Sequence, residues 1–347
     1  MKRPRPWLLP LVPFYAAGVA LRHWRIETGR EQIDRLRWPV ISIGNLSAGG
    51  TGKTPFTIAI SRLLMTQGFH VDVLSRGYGR ISDTVERVDP DGCADRFGDE
   101  PLLIARETSA SVYVARRRYQ AGLLAESEAE HIGIQAGIHL LDDGLQHRQL
   151  HRDVDILLLN SEDWFEGRLL PAGNLRESRQ SGLRRATILA VPTEGPDTNS
   201  DLEFDLRRKI PIDRNTEAQL WPGPLWRFRR HMDIPQQLLQ AGSVAAFCGI
   251  ARPSQFFKGL EAGGLRLAVC HTFSDHHPFR STDLTLLLDK LRLTKASAFV
   301  TTDKDLVRLG PLAAQLEQVA PLFTVGLRIT LDDEASIATW LRQRLSL

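Results

Sequence analysis

"GNLSAGGTGKTPFT", residues 44–57, decides the fold. It ends in the Gly-Lys-Thr of a phosphate-binding loop, G-x-x-x-x-G-K-[ST], but Ser47 stands where the first glycine belongs. The flanks decide how to read it. "PVISIGN" ahead of the loop is apolar and β-branched, which predicts a buried strand. Behind it, Pro55 suits a first helical turn, where its missing N–H costs nothing. Ile58, Ile60, Leu63 and Leu64 keep an approximate helical period, and Gly68 supplies a stop. Strand, glycine-rich loop and helix start are what phosphate binding requires, because loop amides and the helix N-terminus gather around phosphate oxygens. The expected nucleotide cradle is Ser47, Ala48, Gly49, Gly50, Thr51, Gly52, Lys53 and Thr54. Lys53 would reach the β- and γ-phosphates, and the Thr54 hydroxyl a Mg²⁺ ion. Ser47 is tolerable there if its φ is negative.

At 347 residues the chain can hold two domains with full cores. Charged residues make up 24% and the net charge is +3, an ordinary globular balance that argues against a dedicated nucleic-acid binder. Arginines cluster at 116–118, at Arg207/Arg208 and at Arg227/Arg229/Arg230. Arginine clusters suit anionic groups, although each taken singly also reads as solvated surface. Cys93, Cys248 and Cys270 lie far apart with no C-x-x-C, so neither a disulfide framework nor a zinc site is indicated.

Residues 7–21, "WLLPLVPFYAAGVAL", form an apolar run flanked by Lys2, Arg3, Arg5, Arg22 and Arg25. The run is shorter than the ~20 residues a spanning helix needs, and Pro10 and Pro13 interrupt it. An interfacial anchor on the cytoplasmic face of a membrane is the leading expectation, ahead of a buried core helix and a signal peptide.

Further short apolar runs at 71–75, 111–115, 137–143, 154–160 and 186–191 predict a mostly parallel sheet covered on both faces. Residues 196–237 turn polar with scattered prolines and read as a linker. A second alternation follows, with strands at 244–250, 265–273, 297–302 and 322–329 and a closing helix at 333–345. The expectation is therefore two tandem P-loop or Rossmann-like α/β/α domains. A membrane segment occupies 1–30, the first domain 31–195 and the second 238–347, and the last helix is free to pack back on the first domain.

"GIHLLDDGLQHR" puts Asp142 and Asp143 at the end of an apolar strand, where an acid helps hold Mg²⁺ on the phosphates. Side chains alternate along a strand, so one of the pair faces the metal and the other the acceptor. "FGDEPLL" offers Asp99 and Glu100, which read equally as helix N-terminal charge. "FSDHHPF" offers Asp275, His276 and His277, and His beside a carboxylate is a general-base pattern as well as a capping loop. "SRGYGR" and "TTDKDLVRL" follow strands, at the edge where open α/β sheets bind ligands.

Taken in order, "GNLSAGGTGKTP", "SRGYGR", "GDEP", "LLDDGLQHR", "LLPAGNLRE", "FSDHHPF" and "TTDKDLVRL" resemble the tetraacyldisaccharide 4′-kinase family of lipid A biosynthesis. The resemblance implies transfer of the ATP γ-phosphate to the 4′-hydroxyl of a tetraacylated disaccharide 1-phosphate, with Mg²⁺. It also implies a peripheral position on the cytoplasmic face of the inner membrane, and no obligate protein partner is evident. The family's Asp–His dyad maps onto Asp99 and His276. Asp99, oriented or assisted by His276, would then accept the hydroxyl proton. Arg76, Arg148 and Arg176, with Asp143, are candidates for the substrate's phosphate and developing charge. The family commonly carries a hydroxyl residue where Ser47 stands.

Rival readings leave features unexplained. A switch or metallochaperone P-loop protein often carries a second lysine at the position of Ala48, and no Asn here precedes a Lys, which excludes the guanine-reading N-K-x-D. A soluble small-molecule kinase has no use for residues 7–21, and a non-enzymatic membrane adaptor has none for Lys53 and Thr54.

Overall fold

The computed structural model describes residues 5–159, 167–193 and 223–346. Among the described residues, twelve strands form one sheet. The first seven are β1 (Val40–Asn45), β2 (Val71–Ser75), β3 (Glu86–Arg87), β4 (Ser111–Val114), β5 (Ile138–Asp142), β6 (Val154–Leu158) and β7 (Ile188–Pro192). The rest are β8 (Leu225–Asp233), β9 (Ser243–Cys248), β10 (Arg266–Thr272), β11 (Ala298–Thr302) and β12 (Leu322–Leu331). The order is β10-β9-β11-β12-β8-β7-β6-β1-β5-β2-β4-β3, parallel except at β8/β12 and β3/β4.

The expected tandem arrangement is thereby changed. The strands of both halves share one sheet, sewn together where β8 pairs parallel with β7 and antiparallel with β12. β8 lies inside the stretch read as a linker. Its inward Trp226 and Phe228 are buried, but Arg227, Arg229 and Arg230 between and after them gave the stretch a polar look. Residues 196–222 of that expected linker lie outside the described residues.

Helices cover both faces. Those that matter for the site are α1 (Val12–Glu27), α2 (Lys53–Thr66), α3 (Asp99–Glu107), α4 (Arg118–His131), α5 (Ser281–Thr294), α6 (Asp303–Leu309) and α7 (Glu334–Leu345). Ile41, Ile43, Phe56, Ile60 and Ile104 form the centre of the main core. Ile337 and Leu341 of α7 belong to the same cluster, so the last helix packs on the first half. Separate clusters around Phe247 and Phe299, and around Val244 and Leu260, sandwich the second half of the sheet.

The apolar run at the N-terminus is a 3₁₀ segment, Pro6–Leu11, running into α1. Pro10 sits inside the 3₁₀ turn and Pro13 in the first turn of α1, where its missing N–H is harmless. The core-helix alternative does not hold. Trp7 and Phe14 are 73% and 76% exposed, and Ile26 alone is buried among the described residues of α1. No helix among the described residues is long and apolar enough to cross a membrane. α1 is nevertheless tied down. The Tyr15 hydroxyl donates to the carbonyl of Arg176 at 2.8 Å, and the Arg5 amide to that of Ala172 at 2.9 Å.

Candidate active site

β1 delivers the chain to the loop and α2 takes it away, as the strand and helix signals predict. Gly52 is the N-cap of α2 at φ +87°, a left-handed conformation that favours glycine. Ser47 is not among the residues of positive φ, so a side chain there brings no backbone strain. The reason for a hydroxyl at that position is Asn45. Its Nδ2 donates to Ser47 Oγ at 3.0 Å and to Thr51 Oγ1 at 2.8 Å, and its Oδ1 accepts from Lys53 Nζ at 3.1 Å. One fully buried amide thus braces both ends of the loop and aims its lysine.

The first part of the loop is committed to structure rather than to ligand. The Ala48 amide donates to the carbonyl of Asn174 at 2.7 Å, and Ser47 bridges to Leu175. Ala48 therefore does not offer its N–H to a phosphate as expected, because the "LLPAGNLRE" segment has taken it. The second half of the chain lies close by. A side chain at Gly50 would meet Ala251 at 3.6 Å, and Arg230 Nη2 reaches the Thr51 carbonyl at 3.4 Å.

β5 ends in Asp142, whose carboxylate accepts from Thr57 Oγ1 at 3.0 Å on the same helix as Lys53 and Thr54. Burial, reinforced by Glu100 and Asp143, pushes Asp142 up to about 7. Asp143 turns away at φ +50°, with its carboxylate 3.6 Å from Lys53 Nζ and 3.0 Å from Arg176 Nη1. Burial opposes its ionisation, but these two cations hold it below its ordinary value. Arg176 also donates to Gln146 Oε1 at 2.9 Å. Lys53, Asp142, Asp143 and Arg176 thus converge, with Thr54 buried one residue beyond Lys53. Arg76 is exposed, and Arg148 turns toward α1, 3.5 Å from Glu27.

Beside this group, Asp99 opens α3 after Gly98, which is at φ +89°, and the neighbouring Glu100 interacts electrostatically with Lys53 and Asp142. Its Oδ2 accepts from His276 Nδ1 at 3.0 Å. Two motifs 177 residues apart therefore meet. His277 is placed elsewhere: Nε2 pairs with Asp283 at 3.0 Å and the ring stacks on Phe273. Burial would raise Asp99, but the His276 hydrogen bond and the Arg308 and Lys304 charges hold it well below the carboxylate range. The hydrogen bond to Asp99 raises His276 above its ordinary value.

Several site residues escaped the sequence reading. Arg308 donates through Nε and Nη2 to Asp99 Oδ2 at 2.8 and 2.6 Å, and Lys304 pairs with Glu100 at 2.6 Å. Both sit one helical turn apart on α6, inside "TTDKDLVRL", so their spacing was the available signal. Arg118, at the start of α4, is buried beside Asp143 and Arg76. Burial pulls it down to about 10. Burial and the surrounding Arg118, Arg152, Arg22 and Arg76 press His147 down to about 3, so it is neutral at pH 7. The combination offers a phosphate cradle, a carboxylate pair and a braced Asp–His pair.

Comparison with known proteins shows the family. The family model described as LpxK, tetraacyldisaccharide-1-P 4′-kinase, matches residues 4–346. A tetraacyldisaccharide 4′-kinase of Koribacter versatilis (strain Ellin345) is 39% identical over 331 residues, 93% of this chain and 94% of that one. One from Acidovorax sp. (strain JS42) is 38% identical, covering 88% and 82%. Among solved structures, LpxK from Aquifex aeolicus in complex with ATP superposes with a TM-score of 0.72 at 30% identity, over 97% of this chain and 98% of that one. With its loop, carboxylate pair and split Asp–His pair in place, this chain belongs to the tetraacyldisaccharide-1-P 4′-kinase family.

Proposed function

We propose that this chain is an ATP-dependent kinase that moves the γ-phosphate of ATP to the 4′-hydroxyl of a tetraacylated disaccharide 1-phosphate in lipid A biosynthesis. The observation that carries the reading is that the Asn45-braced Lys53 and the Asp99–His276 pair lie together, linked through Glu100, which follows Asp99 and interacts electrostatically with Lys53 and Asp142. Lys53 and the amides of residues 49–54 would neutralise and orient the β- and γ-phosphates. The Asp99–His276 pair would take the hydroxyl proton as the oxygen attacks in line. Arg176 and Arg118, with Arg76 nearby, supply positive charge for the developing phosphoryl charge or the lipid's own phosphate.

Mg²⁺ fits the donor set. Asp142 is a buried carboxylate crowded by Glu100 and Asp143, which a hard divalent cation would relieve, and the Thr54 hydroxyl is a second oxygen ligand. When bound, the ion would neutralise phosphate charge.

The lipid reading is supported by the exposed Trp7, Phe14 and Leu21 beside basic residues, and by a groove of about 350 Å³ between the N-terminal segment and Leu169 and Leu175, rimmed by Arg168 and Arg179. Apolar side chains in the acyl boundary and arginines on anionic headgroups would hold the protein peripherally on the inner membrane. The test is transfer of label from γ-labelled ATP to acylated disaccharide 1-phosphate in detergent micelles, compared with the same sugar lacking acyl chains. Label in the acylated acceptor alone supports the proposal; equal labelling of the deacylated sugar makes the enzyme a soluble sugar kinase.

A further inference from the structure

Along α1, the residues partly or wholly withdrawn from solvent are Val12, Tyr15, Ala16, Val19, His23 and Ile26, a stripe at helical spacing. The stripe carries Tyr15 and His23 toward the body of the enzyme, whereas the bulky Phe14, Leu21 and Trp24 look outward. An amphipathic helix of a water-soluble domain turns its bulkiest apolar side chains inward. In water, therefore, α1 gains little from apolar burial, and its seat on the body rests largely on polar contacts.

Those contacts meet a segment that also holds the phosphate loop. Residues 172–177, "AGNLRE", are bonded from two sides. From the N-terminal side, the Tyr15 hydroxyl donates to the Arg176 carbonyl at 2.8 Å and the Arg5 amide to the Ala172 carbonyl at 2.9 Å. From the loop side, the Ala48 amide donates to the Asn174 carbonyl at 2.7 Å, and Ser47 bridges to Leu175. Arg176 is held by both: its carbonyl by Tyr15, and its amide by the Leu46 carbonyl at 2.7 Å. Its side chain goes to Asp143 and Gln146. A second path runs through side chains. His23 Nδ1 lies 3.5 Å from Ser181 Oγ on the short helix Arg179–Arg185, and that hydroxyl donates to Glu177 at 3.1 Å. Gln146 Nε2 donates to Glu177 at 3.2 Å and to the Asn45 carbonyl at 2.9 Å. Both paths end on groups that touch Lys53 Nζ, Asp143 at 3.6 Å and Asn45 at 3.1 Å.

We infer that α1 positions the phosphate site as well as anchoring the chain: seating α1 on a lipid bilayer sets Arg176 through Tyr15, and through Arg176 the carboxylate and loop that hold Lys53. The inference rests on the kinase and membrane readings above. The bilayer supplies the bias because it favours one rotation of the helix. With Phe14 and Leu21 in the acyl boundary, Tyr15 and His23 are turned toward the protein. In water no such preference holds the helix, and unseated states compete. An unseated α1 leaves residues 172–177 bonded from the loop side alone, and Arg176 is then free to shift away from Asp143. Tyr15 is thus a positioning residue, acting through Arg176. The enzyme would be most competent where its lipid acceptor lies.

Tyr15→Phe removes the hydroxyl and keeps the ring. In detergent micelles saturated with the acylated disaccharide 1-phosphate, it should lower kcat roughly three- to tenfold, the worth of one hydrogen bond expressed as a rate. The KM for lipid should stay at the wild-type value, as should sedimentation with vesicles of phosphatidylethanolamine and phosphatidylglycerol. An anchor and nothing more has the opposite signature: KM and sedimentation move, and kcat does not. Hydrogen exchange reads the coupling without turnover. Adding the same vesicles to the wild-type chain, with neither ATP nor lipid acceptor present, should slow exchange of the Ala48 and Arg176 amides, and Tyr15→Phe should lose that slowing. A wild-type kcat in Tyr15→Phe, or slowing that is absent from the wild type or equal in both proteins, overturns the inference. A wild-type chain that fails to sediment with the vesicles would instead defeat the membrane reading, and one that sediments but phosphorylates no lipid would defeat the kinase reading.

Discussion

Asn45→Ala is the most informative single change in the loop. The substitution deletes three hydrogen bonds at once, to Ser47, Thr51 and Lys53. It also takes the Nδ2 donor away from two hydroxyls in a site where Ser47 is 1% and Thr51 3% exposed. At a net ~1 kcal/mol per bond, and more where a buried partner is left unsatisfied, the loss is about 3 kcal/mol. Urea unfolding at fixed m-value measures it directly. ATP should rescue the mutant less than the wild type, because Lys53 is no longer aimed and ligand stabilisation scales with affinity. Asn45→Asp separates the two effects. The Ser47 and Thr51 hydroxyls can rotate to donate to a carboxylate, so stability should be largely retained. The added negative charge beside Lys53 should still weaken ATP binding. A loss below 1 kcal/mol for Asn45→Ala, with ATP affinity intact, would refute the bracing argument.

Asp99→Ala and His276→Ala should each cut turnover ~10²-fold or more, and the double mutant should be little worse than the poorer single if they act as one unit; multiplicative losses would show independent roles. His277→Ala should lower the melting temperature through its lost Asp283 and Phe273 contacts while turnover stays within about threefold, the scale of less than 1 kcal/mol. Near the start of β2, at the opposite end of the strands from the site, burial raises Asp72 to about 6, so the folded state holds that proton longer than the unfolded chain. Its ionisation therefore costs stability progressively as pH rises from about 4 to 6, and the cost is constant above that. Asp72→Asn should gain relative to wild type across that window in thermal melts, and a flat difference would contradict the burial argument. Removing residues 1–21 should release the protein from membranes more than it weakens ATP binding, and high salt should release the full chain only partly, since apolar burial is not screened; a truncated chain that unfolds would contradict the anchor.

Much of the first half was legible because its signals are local. An apolar strand, glycines and a helix start lie within 30 residues of one another, and their chemistry is fixed by backbone geometry. The Asp99–His276 meeting was not legible from periodicity, because the two residues are 177 positions apart and only the shared sheet brings them together; only the family resemblance pointed to it. Arg308 and Lys304 were hidden for the same reason. Their partners lie in the other half, and on their own helix they look like ordinary surface charge. β8 was misread because three arginines mask its buried Trp226 and Phe228. Asn45 was passed over as the end of a strand, although a polar side chain closing an apolar run is itself a hint.

The measurement that bears most directly on the central claim is ³¹P NMR of the lipid recovered after incubation with ATP. The account requires a second phosphomonoester at the 4′ position of the disaccharide, formed one-for-one with ADP and lost in Lys53→Ala. ADP production independent of the lipid, or a phosphate at any other position, would contradict it.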